Sequence, residues 1–123
     1  MLTENNLFIG TDIVEIERIK HSIHNYGVKF LEKIFTPIEI KYCYDKKNCY
    51  LHFAGRFAAK ESIKKAIFSS KIINQIDFRS IEIVNDSHGV PVVRVNETLK
   101  IKNSQLSISH EKKYAVAFAL LTI

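Results

Sequence analysis

The sequence predicts an α+β fold in which an antiparallel sheet packs against a long central helix. The first observation is an apolar run at residues 7–14 that gives way to helical spacing from Glu15 onward. The second is an uninterrupted helical pattern at residues 49–68, and the third is strand-like alternation in the C-terminal half. Strands and helices that are segregated along a chain are typical of the α+β class.

The N-terminal elements follow from the spacing of apolar residues. Residues 7–14 are apolar on both faces, which predicts a strand in the centre of the sheet. Ile16, Ile19 and Ile23 then lie on one face of a helix that Gly27 ends. A short helical connector is predicted for residues 28–35.

Two more helices carry local signals. Residues 36–39, Thr-Pro-Ile-Glu, have the form of a capping box with proline at the first helical position, and they predict a helix that reaches about Asp45. Residues 49–68 form the longest candidate helix. Its alanines would let a neighbouring element approach closely.

The C-terminal half predicts two antiparallel hairpins. Residues 80–84 and 91–95 flank a turn that contains Gly89, and residues 106–109 and 114–121 flank a charged turn. Between the hairpins, residues 96–102 are predicted as a weak helix or a loop.

The composition predicts one soluble domain over residues 1–123. The chain is 46% hydrophobic, and its formal net charge of +5 favours an acidic partner such as an acidic protein, a nucleotide or a nucleic acid. Two cysteines form neither a disulfide framework nor a structural zinc site, so we expect a reducing, cytoplasmic location. The N-terminus has no secretory leader pattern, and no apolar run is long enough for a membrane span.

Two carboxylates in apolar surroundings are the first candidates for chemistry. Asp12 lies inside the first strand, where it fits either a strand-end acid bonded to backbone N–H groups or a metal ligand. Glu61 lies on the apolar side of the long helix, where it fits either an ordinary pair with Lys65 or the wall of a cleft. Together they suit Mg²⁺, which takes one or two carboxylates and completes its shell from water and phosphate.

Basic residues surround Glu61. Arg56, Lys60 and Lys64 recur every four residues along the helix, which predicts a basic stripe that is either a solvated face or a polyphosphate site. Arg18, together with Lys20 and Lys29, gives the first helix a basic surface that is either ordinary solvation or a docking site for an acidic helix.

The end of the penultimate strand has a Ser-x-Ser-His pattern. A nucleophile–base pair is disfavoured, because neighbouring strand residues point to opposite faces. Ser109 and His110 instead fit phosphate binding or a plain exposed strand end. We assign no role to His21, His24, His52 or His88, which show no metal-ligand spacing.

Five segments, in order and at similar spacing, resemble one family. They are IGTDIVEIERI at 9–19, FTPIE at 35–39, GRFAAKESIKKA at 55–66, IEIVNDSHGVP at 81–91 and LSISHEKKYAVAFALL at 106–121. The chain resembles the holo-acyl-carrier-protein synthases, which are small bacterial 4′-phosphopantetheinyl transferases of fatty acid biosynthesis. The resemblance implies the fold of that family and a homotrimer with sites at subunit interfaces.

The resemblance also implies a reaction and its residues. Phosphopantetheine would pass from coenzyme A to a serine of apo-acyl carrier protein, with release of adenosine 3′,5′-bisphosphate. Asp12 and Glu61 would bind Mg²⁺, and Lys65 would lie near the pyrophosphate. Arg18 would dock the carrier. Nucleotide contacts would come from Arg56, Ser109 and His110, while Glu61 or a water would accept the serine proton.

The chain departs from the family pattern after the long helix. The family has a Gly-Thr-Gly stretch there, whereas this chain has Ile-Phe-Ser-Ser-Lys at 67–71. We therefore expect a different loop and altered coenzyme A contacts. The alternative to a transferase is a non-catalytic basic module that binds an acidic protein or, with less support because no aromatic-basic motif is present, a nucleic acid.

Overall fold

The computed structural model describes residues 6–123, and the N-terminal segment considered above for a leader lies largely outside them. Four helices fill the first part of the chain. They are α1 (Ile16–Tyr26), α2 (Val28–Ile34), α3 (Pro37–Tyr44) and α4 (Cys49–Ser70). The strands are β1 (Leu7–Glu15), β2 (Ile81–Asn85), β3 (Pro91–Val95), β4 (Asn103–His110) and β5 (Tyr114–Thr122). Single 3₁₀ turns occupy Phe78–Ser80 and Glu97–Leu99.

Two antiparallel sheets are formed. β2 and β3 pair as one hairpin, and β4 and β5 pair as the other, as predicted. β1 adds antiparallel to β5, so the larger sheet has the order β1-β5-β4. The expectation that β1 is a central strand is wrong, because β1 is an edge strand and β5 is central.

One face of the larger sheet packs against α4, which confirms the predicted antiparallel sheet on a long helix. The side chains that β5 turns toward α4 are Ala115, Ala117, Ala119 and Leu121, all fully buried. Small side chains let the helix lie close to the sheet.

The closest approach between helix and sheet is at Gly10 of β1. A Cβ placed on Gly10 would lie 1.9 Å from the carbonyl oxygen of Ser62 and 2.9 Å from the amide nitrogen of Ala66. Only glycine fits there, because both neighbours are helix backbone that cannot rotate away.

The other face of the sheet is apolar and uncovered. Its large side chains on β1 and β5 are 39–63% exposed, and they are Leu7, Ile9, Ile13, Tyr114, Val116 and Phe118. This face explains why β1 is apolar on both sides although it lies at an edge.

The end of α4 differs from the predicted boundary at Phe68. The helix continues to Ser70, and Lys71 ends it with φ 65 and ψ 14, a left-handed conformation that usually favours glycine. The segment without glycine therefore extends the helix by two residues. Within residues 6–123, no helix is long and apolar enough to cross a membrane.

We predict that Gly10→Ala lowers the free energy of unfolding by about 3 kcal/mol or more, because the added methyl group meets helix backbone. Urea denaturation measures the change.

Gly55→Ala is the matched control. Its Cβ would meet only a side-chain methyl group of Ile108 at 3.1 Å. Alanine also gains about 1 kcal/mol of helix propensity over glycine, so this variant should stay close to the parent. Equal losses in the two variants would contradict the account of β1 packing.

Candidate active site

Asp12 and Glu61 line the same cavity, which has a volume of about 420 Å³. Asp12 follows Gly10 by two residues, so it lies on the face of β1 that is turned toward α4. Glu61 immediately precedes Ser62, the residue that β1 touches. The close packing at Gly10 therefore brings the two carboxylates to one opening.

Lys65 forms an ion pair with Asp12. Its Nζ lies 3.1 Å from Oδ1 of Asp12 and donates to the carbonyl oxygen of Thr11 at 2.9 Å. The Lys65 side chain is 52% exposed, so the ammonium can turn toward a ligand without leaving a buried position. Glu61 has no ion pair among the residues that the structure describes.

Arg18 and apolar side chains complete the wall of the cavity. Arg18 is exposed on α1, and Phe30 and Phe57 line the same cavity. The site thus places an acidic pair beside a cation and an apolar surface. Such a combination suits a charged small molecule at one end and a protein partner at the other.

The donor set fits a hard divalent cation with few protein ligands. No group of three or more His, Cys, Asp or Glu side chains that could hold a metal occurs in residues 6–123. A cation at Asp12 and Glu61 would therefore complete its shell from water or ligand oxygens. Mg²⁺ characteristically binds in this way.

Lys60 is not available to a phosphate, and the expectation that it binds the nucleotide is wrong. Its side chain is fully buried, with Nζ 2.5 Å from Oε1 of Glu39. Nζ also donates to the carbonyl oxygens of Ile34 at 2.7 Å and Phe78 at 3.1 Å. Burial lowers the pKa of Lys60, and the Glu39 carboxylate opposes that shift.

The predicted basic stripe is consequently not one surface. Lys64 lies 3.9 Å from the centre of the Phe78 ring, where it lines a separate cavity with Lys33 and Arg79. Arg56 is only 4% exposed, and its guanidinium stacks 3.8 Å above the Tyr42 ring. These helix positions hold α4 to its neighbours in addition to any contact with a ligand.

Arg56 and His110 meet at a second cavity of about 230 Å³. Arg56 donates a hydrogen bond to Asn85 Oδ1, while its buried Nε has no hydrogen-bond partner among the residues described. The cavity lies beside β4, at the sheet edge opposite β1, whereas residues of β1 and α1 line the Asp12 cavity. The two charged cavities of one chain are thus separate from each other.

Ser109 does not join His110. Adjacent residues of β4 point to opposite faces, and Ser109 is exposed on the open apolar face of the sheet, opposite Val116 of β5. The geometry therefore places the predicted nucleotide residues Ser109 and His110 on different sides of one strand.

Two residues that contribute to these sites were not predicted from the sequence. Glu39 was assigned only to the capping box, which does form, yet its second oxygen also accepts from the Ile83 amide at 2.7 Å. His52 was given no role, although it lines the cavity of Arg56 and His110. Its position four residues before Arg56 on α4 was a usable signal.

Comparison with known proteins settles the family. The model of the 4′-phosphopantetheinyl transferase superfamily matches residues 8–119. The chain belongs to this superfamily. A holo-[acyl-carrier-protein] synthase of Chlorobium limicola is 41% identical over 118 residues, covering 94% of this chain and 93% of the relative. One from Ruminiclostridium cellulolyticum is 42% identical, covering 95% and 92%.

Solved structures of the superfamily share the fold. The holo-[acyl-carrier-protein] synthase of Helicobacter pylori in complex with coenzyme A has a TM-score of 0.82 at 32% identity, covering 93% of this chain and 99% of that one. The Bacillus anthracis enzyme in complex with coenzyme A has a TM-score of 0.79 at 36% identity, covering 94% and 95%.

The predicted family, fold class and enzyme class are therefore confirmed. This protein is a phosphopantetheinyl transferase, and the alternative of a non-catalytic basic module is not supported.

We predict that Lys60→Ala lowers the free energy of unfolding by about 3–5 kcal/mol, because it leaves the Glu39 carboxylate buried without its counter-ion. Lys64→Ala, which loses a cation–π contact at a partly exposed position, should cost about 1 kcal/mol. Chemical denaturation of both variants measures this. A Lys60→Ala protein with parental stability would contradict the assignment of Lys60 as the buried counter-ion of Glu39.

Proposed function

We propose that this protein transfers the 4′-phosphopantetheine group from coenzyme A to a serine of apo-acyl carrier protein and releases adenosine 3′,5′-bisphosphate. The observation that carries the proposal is the convergence of Asp12 and Glu61 on one cavity, with Lys65 paired to Asp12, in a chain of this superfamily. The names of the relatives and the coenzyme A complexes of the similar structures support the same substrates.

Asp12 and Glu61 would hold Mg²⁺, the cofactor of the proposed reaction. The bound ion would neutralise the negative charge of the coenzyme A pyrophosphate. The donor set fits this ion, since two carboxylates leave most of its shell to water and phosphate oxygens.

The other residues of the cavity would position the reactants and balance charge. Phosphoryl transfer depends mainly on alignment and electrostatic stabilisation. Lys65, already within 3.1 Å of Asp12, would offset the charge that develops on the departing bisphosphate. The serine hydroxyl must lose a proton as it attacks phosphorus, and Glu61 or a water molecule would accept it.

The carrier protein would dock on α1 beside this cavity. Arg18 is exposed there, and Phe30 and Phe57 offer an apolar surface next to it. An acidic carrier would meet both features, which fits the net charge of +5. Nucleic acid is not part of the proposal.

Arg56 and His110 would bind the nucleotide end of coenzyme A. Their cavity lies beside β4, and the Asp12 cavity lies beside β1. These strands are the two edges of a three-stranded sheet and are about 10 Å apart. In the proposed assembly, one coenzyme A molecule would reach the nucleotide cavity of one subunit and the carboxylates of another.

The open apolar face of the sheet supports such an assembly, a homotrimer in our proposal. Six large apolar side chains of β1 and β5 are exposed there, as an interface between subunits requires. Ser109 lies on this face, so its nucleotide contact would be made next to a neighbouring subunit.

The proposal also includes a metabolic pathway and a cellular location. Carrier proteins of this kind hold growing acyl chains, so we place the reaction in fatty acid biosynthesis and in the cytoplasm. The helical extension that replaces the Gly-Thr-Gly loop would alter contacts between the chain and coenzyme A, and affinity for coenzyme A should differ accordingly.

Intact mass spectrometry tests the reaction. An apo-acyl carrier protein incubated with this protein, coenzyme A and Mg²⁺ should gain the mass of one phosphopantetheine, and a chelator should prevent the gain. No gain with a folded enzyme would contradict the proposed transfer.

Asp12→Ala and Glu61→Ala should each abolish turnover without unfolding the protein, because both carboxylates are at the cavity surface. The mass assay and circular dichroism together measure this. A variant that keeps the parental rate would exclude that residue as a metal ligand.

Arg18→Glu should raise the KM for the carrier at least tenfold, since it replaces an attraction with a repulsion, an effect of about 1.4 kcal/mol or more. Affinity for coenzyme A should not change. Lys41→Glu, at an exposed residue of α3, is the matched charge-reversal control. Equal carrier KM values in the two variants would argue against docking on α1.

A further inference from the structure

His52 extends into the nucleotide cavity from α4 without an assigned function. It lies one helical turn before Arg56, and its ring centroid is 6.0 Å from that of His110 on β4. On its other side, the Tyr42 ring packs edge-on against it with centroids 5.9 Å apart. Three elements thus fix the imidazole at the cavity wall.

The residues that line the cavity favour a negatively charged ligand. Arg56 and the two imidazoles line it, and Lys46 lies 4.7 Å from the Tyr42 ring that supports His52. No carboxylate is found among the lining residues in the described part of the chain. Arg56 is buried with an unpartnered Nε, so a donor is already desolvated there.

We propose that His52 is a further coenzyme A-binding residue, which with Arg56 and His110 encloses a phosphate of the nucleotide and binds it more tightly when the imidazole is protonated. This inference rests on the proposed function, since the ligand is the coenzyme A of that reaction. The contacts of His52 with Tyr42 and His110 give it a fixed place in the cavity.

The surroundings of His52 define the direction of the pH effect. Burial lowers the pKa of His52 below its ordinary value, and the positive charges of His110, Arg56 and Lys46 lower it further. These are the charged groups that face it from β4, from α4 and from the segment after α3; the β2–β3 side contributes the uncharged Asn85, Gly89 and Pro91.

A phosphate in the cavity reverses this balance. It favours the imidazolium form, raises the pKa of His52 in the complex and makes binding take up a proton. Affinity therefore increases as the pH falls through the titration range of His52, and the increase is absent well above that range.

Isothermal titration calorimetry with adenosine 3′,5′-bisphosphate tests this. Protonation of His52 should make the parent protein bind the bisphosphate about fivefold more tightly at about pH 6 than at about pH 8. His52→Gln should lose that excess. The ligand phosphate itself titrates near pH 6, but this contribution is common to all variants and cancels in the comparison.

Two further variants separate charge from structure. His52→Phe keeps an aromatic ring against Tyr42 and should show the same weak, less pH-dependent binding as His52→Gln. His21→Gln, at an exposed residue of α1, should behave as the parent. The melting temperature of each variant shows that it is folded.

The outcomes distinguish the two proposals. If the parent binds the bisphosphate and both His52 variants keep its affinity and pH dependence, the role of His52 is overturned while the proposed function stands. If His52→Phe keeps the parental pH dependence, protonation of His52 is excluded. If the folded parent does not bind the bisphosphate or coenzyme A at either pH, both proposals fail.

Discussion

The contact between Gly10 and the backbone of α4 is the constraint on which the site depends. A side chain at this position would overlap the Ser62 carbonyl, so β1 can lie this close to the helix only with glycine at position 10. The strand period then turns Asp12 to the helix as well, and the helix residue next to Ser62 is Glu61. One backbone contact thus sets the separation of the two carboxylates, and the buried Ala side chains of β5 keep the sheet close enough for it.

A second constraint positions the rest of α4. Glu39 caps α3, accepts from β2 and pairs with Lys60, so one buried carboxylate joins three elements. Lys60 is therefore occupied inside the protein, whereas Arg56 lines the nucleotide cavity and Lys65 forms an ion pair with Asp12. The charged side chains of α4 thus point to different sides of the helix, as the proposed sharing of a site between subunits requires.

Much of this was predictable from local patterns. Apolar spacing, the capping box at Thr36 and the turn signals predicted the helices and both hairpins, and the family motifs predicted Asp12, Glu61 and Lys65 as neighbours. The pairing of β1 with β5 joins opposite ends of the chain, and no local pattern encodes such a contact. The phosphate-binding prediction for Lys60 failed for the same reason. Helical spacing predicts the side of a helix on which a residue lies, but burial and long-range partners determine whether its charge is internal, bound to ligand or free.

In the proposed enzyme, the active site is assembled from the Asp12 cavity of one subunit and the nucleotide cavity of another. Co-expression of an Asp12→Ala chain with an Arg56→Gln/His110→Ala chain, followed by purification through two different tags, tests it most directly. The account predicts that the purified mixed trimers recover activity that neither variant has alone, at about one third of the parental level, because one of the three interfaces in each mixed trimer combines two intact cavities. Mixed assemblies that stay as inactive as the separate variants would show that both cavities must belong to one chain, which would contradict the account.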